Sequence, residues 1–153
     1  MDTQQLIDLL KRDKYSKKYF CGVLSIDQIP IRKIKRPCSF IINTQDSSLP
    51  GEHWFAIFIP KFGKIEYFDS YGMKPINYQV YDLILMNGKK FLYNKKAIQS
   101  SDSENCGKFC IFYIYFRSRN YSMIDIQKFF ISNKITNDLF ITKFINVIVK
   151  KYL

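Results

Sequence analysis

The segment "CGKFCIFYIYF", Cys106 to Phe116, carries one charge in eleven residues and has no polar face. It follows "SSDSEN", a run of small polar residues, several of which can accept the orphan N–H groups of a helix start. The spacing predicts a helix over Cys106–Phe116. A helix that is apolar nearly all round cannot lie on a surface, so the rest of the chain must sheathe it.

The remaining pattern supplies such a sheath. Leu6, Ile7, Leu9 and Leu10 give the opening segment a helical apolar stripe. "CGVLSIDQIP" reads as a loop, followed by the basic stretch "IRKIKRP". "CSFIIN", Cys38 to Asn43, reads as a short buried strand, and "TQDSSLPGE" as a turn-rich loop. "HWFAIFIP", "KFG" and "KIEYFDS" read as strand, turn and strand, with Gly63 supplying the unusual backbone angle of a tight hairpin. Tyr78–Met86 is ambiguous, and Phe91–Gln99 reads as another strand. Helices near Met123–Ser132 and Thr136–Tyr152 follow, with no internal repeat or low-complexity linker. The expectation is a single α+β domain over 1–153: a small, mainly antiparallel sheet packed on a buried helix, with further helices at both ends.

Charge narrows the partners more than the fold. Lysine and arginine outnumber acids 24 to 13, a net charge of +11, which points to nucleic acid, an acidic surface or acidic proteins. The AT-rich bias behind so many Lys, Ile, Asn, Tyr and Phe residues offers a purely compositional account of the same charge. The opening segment lacks a sustained apolar core and a small-residue cleavage site, and the run Phe109–Phe116 is far short of the roughly 20 residues of a membrane span. The expectation is an intracellular soluble protein with no membrane attachment, in which Cys21, Cys38, Cys106 and Cys110 are reduced thiols.

Cys106 stands at the seam between the polar run and the apolar helix. At a helix start, unpaired N–H groups and the dipole stabilise a thiolate. Gly107 leaves space for an approaching carbonyl, and the Cys106 N–H can donate to an oxyanion. Cys110, one turn deeper, reads as core. His53 is the only histidine, and it lies at the mouth of the hairpin. If Gly63 closes a three-residue loop, Ile59 faces Gly63 and His53 falls opposite Asp69, so that the carboxylate can fix the imidazole tautomer. Zinc is the rival use of three cysteines and a histidine. Cys21 and Cys38 lack the paired, closely spaced geometry of structural zinc sites, so no metal is expected.

The order His53, Asp69, Gln99, Cys106 resembles the adenovirus-type (adenain-like) cysteine proteases, in the clan that includes the ubiquitin-like-modifier proteases. The matching pieces are "HWFAIF", "YFDSYG" and "QSSDSENCGKFC", preceded in the same order by "YFCGVLSIDQIP" and "CSFIINT", so the resemblance spans Tyr19 to Phe116. It implies Cys106 as nucleophile, His53 as general base, Asp69 as its orienter and the Gln99 amide as oxyanion donor. It also implies viral structural precursors as substrates of a monomeric enzyme in the virus factory or nucleus, packaged in the virion. The chemistry needs no cofactor; the family's stimulants are DNA held without sequence preference and an activating peptide. Adenoviral enzymes commonly carry Glu at the position of Asp69, where modifier proteases carry Asp. No counterpart of the peptide-bonding cysteine lies between Met73 and Cys106. The rival functions are an isopeptidase acting on ubiquitin-like modifiers and a non-enzymatic, nucleic-acid-binding protein with a protease-like fold.

Overall fold

The computed structural model describes residues 1–153. In chain order the elements are α1 (Thr3–Arg12), β1 (Phe20–Ser25), β2 (Cys38–Asn43), β3 (Trp54–Ile59), β4 (Ile65–Phe68), α2 (Tyr78–Asn87), β5 (Phe91–Tyr93), α3 (Cys106–Arg117), α4 (Met123–Gln127) and α5 (Lys134–Tyr152). The five strands form one sheet in the order β1-β2-β3-β4-β5. The fold class is α+β, as the sequence predicts, but the sheet is mixed. The two inner pairings, β2–β3 and β3–β4, are antiparallel, while the outer ones, β1–β2 and β4–β5, are parallel.

Two apolar layers flank the sheet. On one side Leu6, Leu9 and Leu10 of α1, Ile41, Ala56, Phe58 and Phe68 of the strands, and Ile141, Ile145 and Ile148 of α5 enclose α3. Phe109, Phe112, Tyr113 and Ile114 are at most 1% exposed, so α3 is sheathed as its composition demands. Its one deep polar contact is satisfied: Glu66 of β4 accepts the Tyr113 hydroxyl and the Arg117 Nε–H, each at 2.7 Å. On the other side Val80, Leu83 and Ile84 of α2 pack on Ile42, Phe55, Ile57 and Ile59. No helix is long and apolar enough to cross a membrane.

Caps and buried ion pairs close the periphery. Asp2 and Gln5 form a reciprocal capping box on α1, a device worth about 0.5–2 kcal/mol. Asp13, where α1 ends, accepts both Nη groups of Arg119, the Ser16 hydroxyl and the Tyr152 hydroxyl. Burial pushes its pKa up, but these donors outweigh burial and hold it well below the usual carboxylate range.

Four readings differ from the sequence expectation, one of them the helix near Met123–Ser132, which ends at Gln127. Residues 20–25 form a strand rather than a loop; the register slips between Phe20 and Gly22, which interrupts the alternation a strand would show. That irregularity sets Cys21 beside Cys38 with Cα atoms 6.0 Å apart, and the two are disulfide-bonded, leaving Cys106 and Cys110 free. The ambiguous segment 78–86 is helix α2. Finally, the predicted strand 91–99 stops at Tyr93, because Asn94 turns in to bond the backbone of Asp69.

Candidate active site

Three elements converge at one end of the sheet: the start of β3, the exit of β4 and the first turn of α3. His53 precedes β3 directly. Its backbone is fixed from β2, where the Thr44 N–H donates to the His53 carbonyl at 2.9 Å. Asn43 Oδ1 accepts the N–H groups of Gln45 and Glu52, which folds the intervening loop against the strand end.

The hairpin register is Ala56↔Phe68, Ile57↔Tyr67 and Phe58↔Glu66, two residues away from the expected one. Residues 60–64 form the connection, longer than a three-residue loop closed by Gly63, although Gly63 does have a positive φ of 104°. Continued outward, this register sets His53 against Tyr71. The rings stack accordingly, with centroids 4.8 Å apart and planes at 30°. Asp69 then approaches His53 diagonally and still reaches it: His53 Nε2 lies 3.0 Å from Asp69 Oδ1. The same oxygen accepts the Tyr71 N–H at 2.8 Å. Asn94 holds the Asp69 backbone from both sides, accepting its N–H at 2.8 Å and donating to its carbonyl at 2.5 Å. Such a carboxylate has little freedom to rotate.

Cys106 begins α3 and is 7% exposed. Burial alone would raise its pKa above the ordinary 9.0. The His53 hydrogen bond, the Trp54 and Gly107 backbone N–H groups and the imidazolium charge together bring it below that value. For His53 burial is again the largest influence and lowers the pKa, but bonds to Asp69 and Cys106, with the charges behind them, raise it from 6.5 to about 9. The two shifts run toward each other, and both favour the charged forms, a thiolate beside an imidazolium. Since Asp69 takes Nε2, Nδ1 is the nitrogen left to face the sulfur. Cys110, fully buried one turn on, is pushed well above 9.0 by burial and by the neighbouring charges of Cys106 and Asp69.

Gln99 is adjacent but turned inward. It is 1% exposed; its Oε1 accepts the Ser70 hydroxyl at 2.5 Å, and its Nε2 donates to the Ser103 carbonyl at 2.7 Å and, at 3.4 Å, toward the Tyr71 hydroxyl. A cleft of about 910 Å³ opens over His53, Asp69 and Cys106, with Trp54, Tyr71 and Glu104 among its walls, and Gln99 does not line it. Gly107 also lines the cleft, and a Cβ there would meet Leu6 Cδ2 at 3.2 Å and Trp54 Cδ1 at 3.5 Å. The missing side chain thus lets α1 and the β3 tryptophan pack against the helix start. No group of three His, Cys, Asp or Glu side chains is close enough to hold a metal ion.

The structure adds Ser70, Tyr71, Asn94 and Asp138 to the residues that order this site. Ser70 and Tyr71 lie inside the segment "YFDSYG", in which the sequence singles out only Asp69. Nothing in the sequence singled out Asn94 or Asp138.

No protein-family model matches the chain. Among curated proteins, the "Cysteine protease" of African swine fever virus (isolate Tick/Malawi/Lil 20-1/1983) is 33% identical over 122 residues, covering 70% of this chain and 43% of that protein. The counterpart from isolate Pig/Kenya/KEN-50/1950, named "SUMO-1 cysteine protease", is 32% identical over the same shares. The chain thus spans less than half the length of these relatives. Among solved structures, the central domain of the uncharacterized Lpg1148 protein from Legionella pneumophila superposes with a TM-score of 0.56 over 98% of both chains at 13% identity, a likeness of fold. Over 122 residues the chain is thus a homologue of the African swine fever virus cysteine proteases, members of the adenain-like clan that also holds the ubiquitin-like-modifier proteases.

Proposed function

We propose that residues 1–153 act as one cysteine protease domain, an endopeptidase that matures structural precursor proteins of a DNA virus, virophage or virus-derived element. One observation carries the reading: the only histidine is held at 3.0 Å by a buried carboxylate and lines one open cleft with a thiol at a helix start. The Cys106 thiolate attacks the scissile carbonyl carbon, forming a C–S bond and moving an electron pair onto oxygen. Collapse breaks the C–N bond, and the leaving amine takes its proton from His53. Water, deprotonated by His53, then hydrolyses the thioester and restores the thiolate. Asp69 holds the ring in the productive tautomer throughout.

The tetrahedral oxyanion is assigned to the Cys106 N–H and the Gln99 amide. Gln99 serves when its Nε2 turns from the Ser103 carbonyl toward the cleft, and one such donor is worth about 3–4 kcal/mol in the transition state. Incubating the protein with its co-encoded capsid proteins and sequencing the new termini tests the reading. Cuts that depend on Cys106 are expected; identical products from Cys106→Ala would sink it.

The name of the second viral relative favours one further reading, removal of a ubiquitin-like modifier from conjugates. Cleavage of a modifier–coumarin reagent, with capsid precursors left intact, would decide for it. The site of action is the infected cell, in a virus factory or nucleus, with packaging in the virion.

DNA is the proposed polyanion partner, supported by a second cleft of about 690 Å³ lined by Lys33, Lys35, Arg36 and Lys89, which shares no residue with the first. Binding to unrelated DNA sequences alike is expected to weaken by roughly 0.9 log unit per log unit of salt for each phosphate neutralised. Peptide cleavage titrated with DNA at two salt concentrations tests whether stimulation falls in parallel; flat activity while DNA binds removes the cofactor role.

A further inference from the structure

The loop that joins Gln99 to Cys106 is held from α5, an element the proposed chemistry does not otherwise use. Asp138 is 9% exposed and gathers three donors from this loop. Its Oδ2 accepts the Ser100 N–H at 3.1 Å, and its Oδ1 accepts the Ser103 hydroxyl at 2.8 Å and the Asn105 Nδ2–H at 3.1 Å. Asp138 makes no ion pair, so these donors satisfy its charge. The adjacent Asn137 extends the hold upstream by donating to the Ile98 carbonyl at 3.0 Å.

At one end of the loop the Ser103 carbonyl accepts Gln99 Nε2 and keeps that amide turned inward. At the other, Asn105 sits at φ −92°, ψ 4°, in the sparsely populated bridge region, and it forms the peptide that carries the Cys106 N–H. Its side chain is tied to Asp138 alone among side chains. A carboxylate suits this task because three donors converge on it, and an amide offers only one acceptor oxygen. His53 and the Trp54 N–H, which acidify the Cys106 thiol, come from β3 and its approach and owe nothing to Asp138.

We propose that Asp138 is a positioning residue: it fixes the 100–105 loop so that the Asn105–Cys106 peptide aims the Cys106 N–H at the oxyanion. The proposal rests on the protease reading above and on the assignment of that donor.

The test separates thiol activation from oxyanion stabilisation. Alkylation of Cys106 by iodoacetamide needs the thiolate and no oxyanion hole, whereas peptide turnover and reversible inhibition by a peptide aldehyde ending in glycinal need both. Asp138→Ala should lower kcat about a hundredfold with KM held within about twofold, and weaken the aldehyde in parallel. The rate of Cys106 alkylation and its pH midpoint should stay as in the wild type. Asp138→Asn, which keeps the shape and part of the bonding, should lose about tenfold in kcat, and it carries the test if the alanine variant does not fold. Unchanged kcat in the folded variants overturns the proposal. So does a loss of alkylation in proportion to kcat, which marks general loosening of the fold. A wild type that turns over no peptide, and that Cys106→Ala leaves unchanged, would instead overturn the protease reading itself and this proposal with it.

Discussion

Two turns of the same helix treat the same side chain in opposite ways. Cys106 and Cys110 are both buried, and burial pushes both thiols toward the neutral form. At Cys106 the push is overcome by an imidazolium and by the N–H groups of Trp54 and Gly107; at Cys110 nothing opposes it, and the charge at Cys106 adds to it. Four positions along one helix separate the proposed nucleophile from a small apolar core residue. Depth is not what distinguishes them. The first turn of α3 faces the strand ends and the loops that leave them, where polar groups can enter, and the second faces only side chains of the core.

The largest effects should come from collapsing that contrast. Cys106→Ala is expected to lower kcat by on the order of ten-thousandfold or more, with His53→Ala nearly as damaging because the pair acts as a unit. Cys110→Ala should stay within about twofold of the wild type, and steady-state kinetics on one peptide compares all three. Next in size, Gln99→Ala should lower kcat about a hundredfold with little change in KM. A change in KM alone would remove its oxyanion role.

A pH series sharpens the comparison further. The His53 pKa is raised from 6.5 to about 9, so the stability it contributes is complete below about 6.5 and is lost as pH rises through about 9. Activity should fall over the same upper range as the leaving amine loses its proton donor. In Cys106→Ala the upper limb of the stability curve should move to lower pH, since the thiolate no longer holds the proton on His53; a two-dimensional NMR titration of the single histidine reads this directly. The smallest effect on turnover, and a measurable one on stability, is expected for Cys110→Ser. A hydroxyl there enters the apolar core around α3, at a cost of about 1–3 kcal/mol by chemical denaturation.

What could be read from the sequence follows from how local each signal is. Strand β2 and helix α3 are set by runs of neighbouring residues, and both lie where the sequence placed them. Strand β1 escaped because its irregularity at Cys21 breaks the alternation, and the same irregularity creates the Cys21–Cys38 bridge in place of the reduced thiols expected without an export signal. The hairpin register was misread by two residues, yet His53 and Asp69 still meet, because a histidine reaches diagonal as well as direct neighbours. Gln99 was located, but its inward orientation depends on Ser70 and Ser103, which no spacing rule connects to it. Asp138 lies 33 or more positions beyond the loop residues it binds, and only the packing of α5 on α3 brings it there.

Gly72 closes the turn after Asp69 at φ +68°, its N–H bonded to the Asp69 carbonyl at 2.8 Å. A Cβ at this position would come within 2.6 Å of the backbone at Lys96 and Ala97, with no flexible side chain in the way to yield. The turn and the 96–99 segment are thus stacked backbone to backbone, like two blocks with no shim between them. Asp69 rides on one block and Gln99 on the other. Any side chain introduced here acts as a wedge, driving the histidine's anchor and the proposed oxyanion amide apart at once, though it touches neither. A genetic screen for inactive variants that still accumulate as folded protein should therefore return substitutions at Gly72 alongside those at Cys106 and His53.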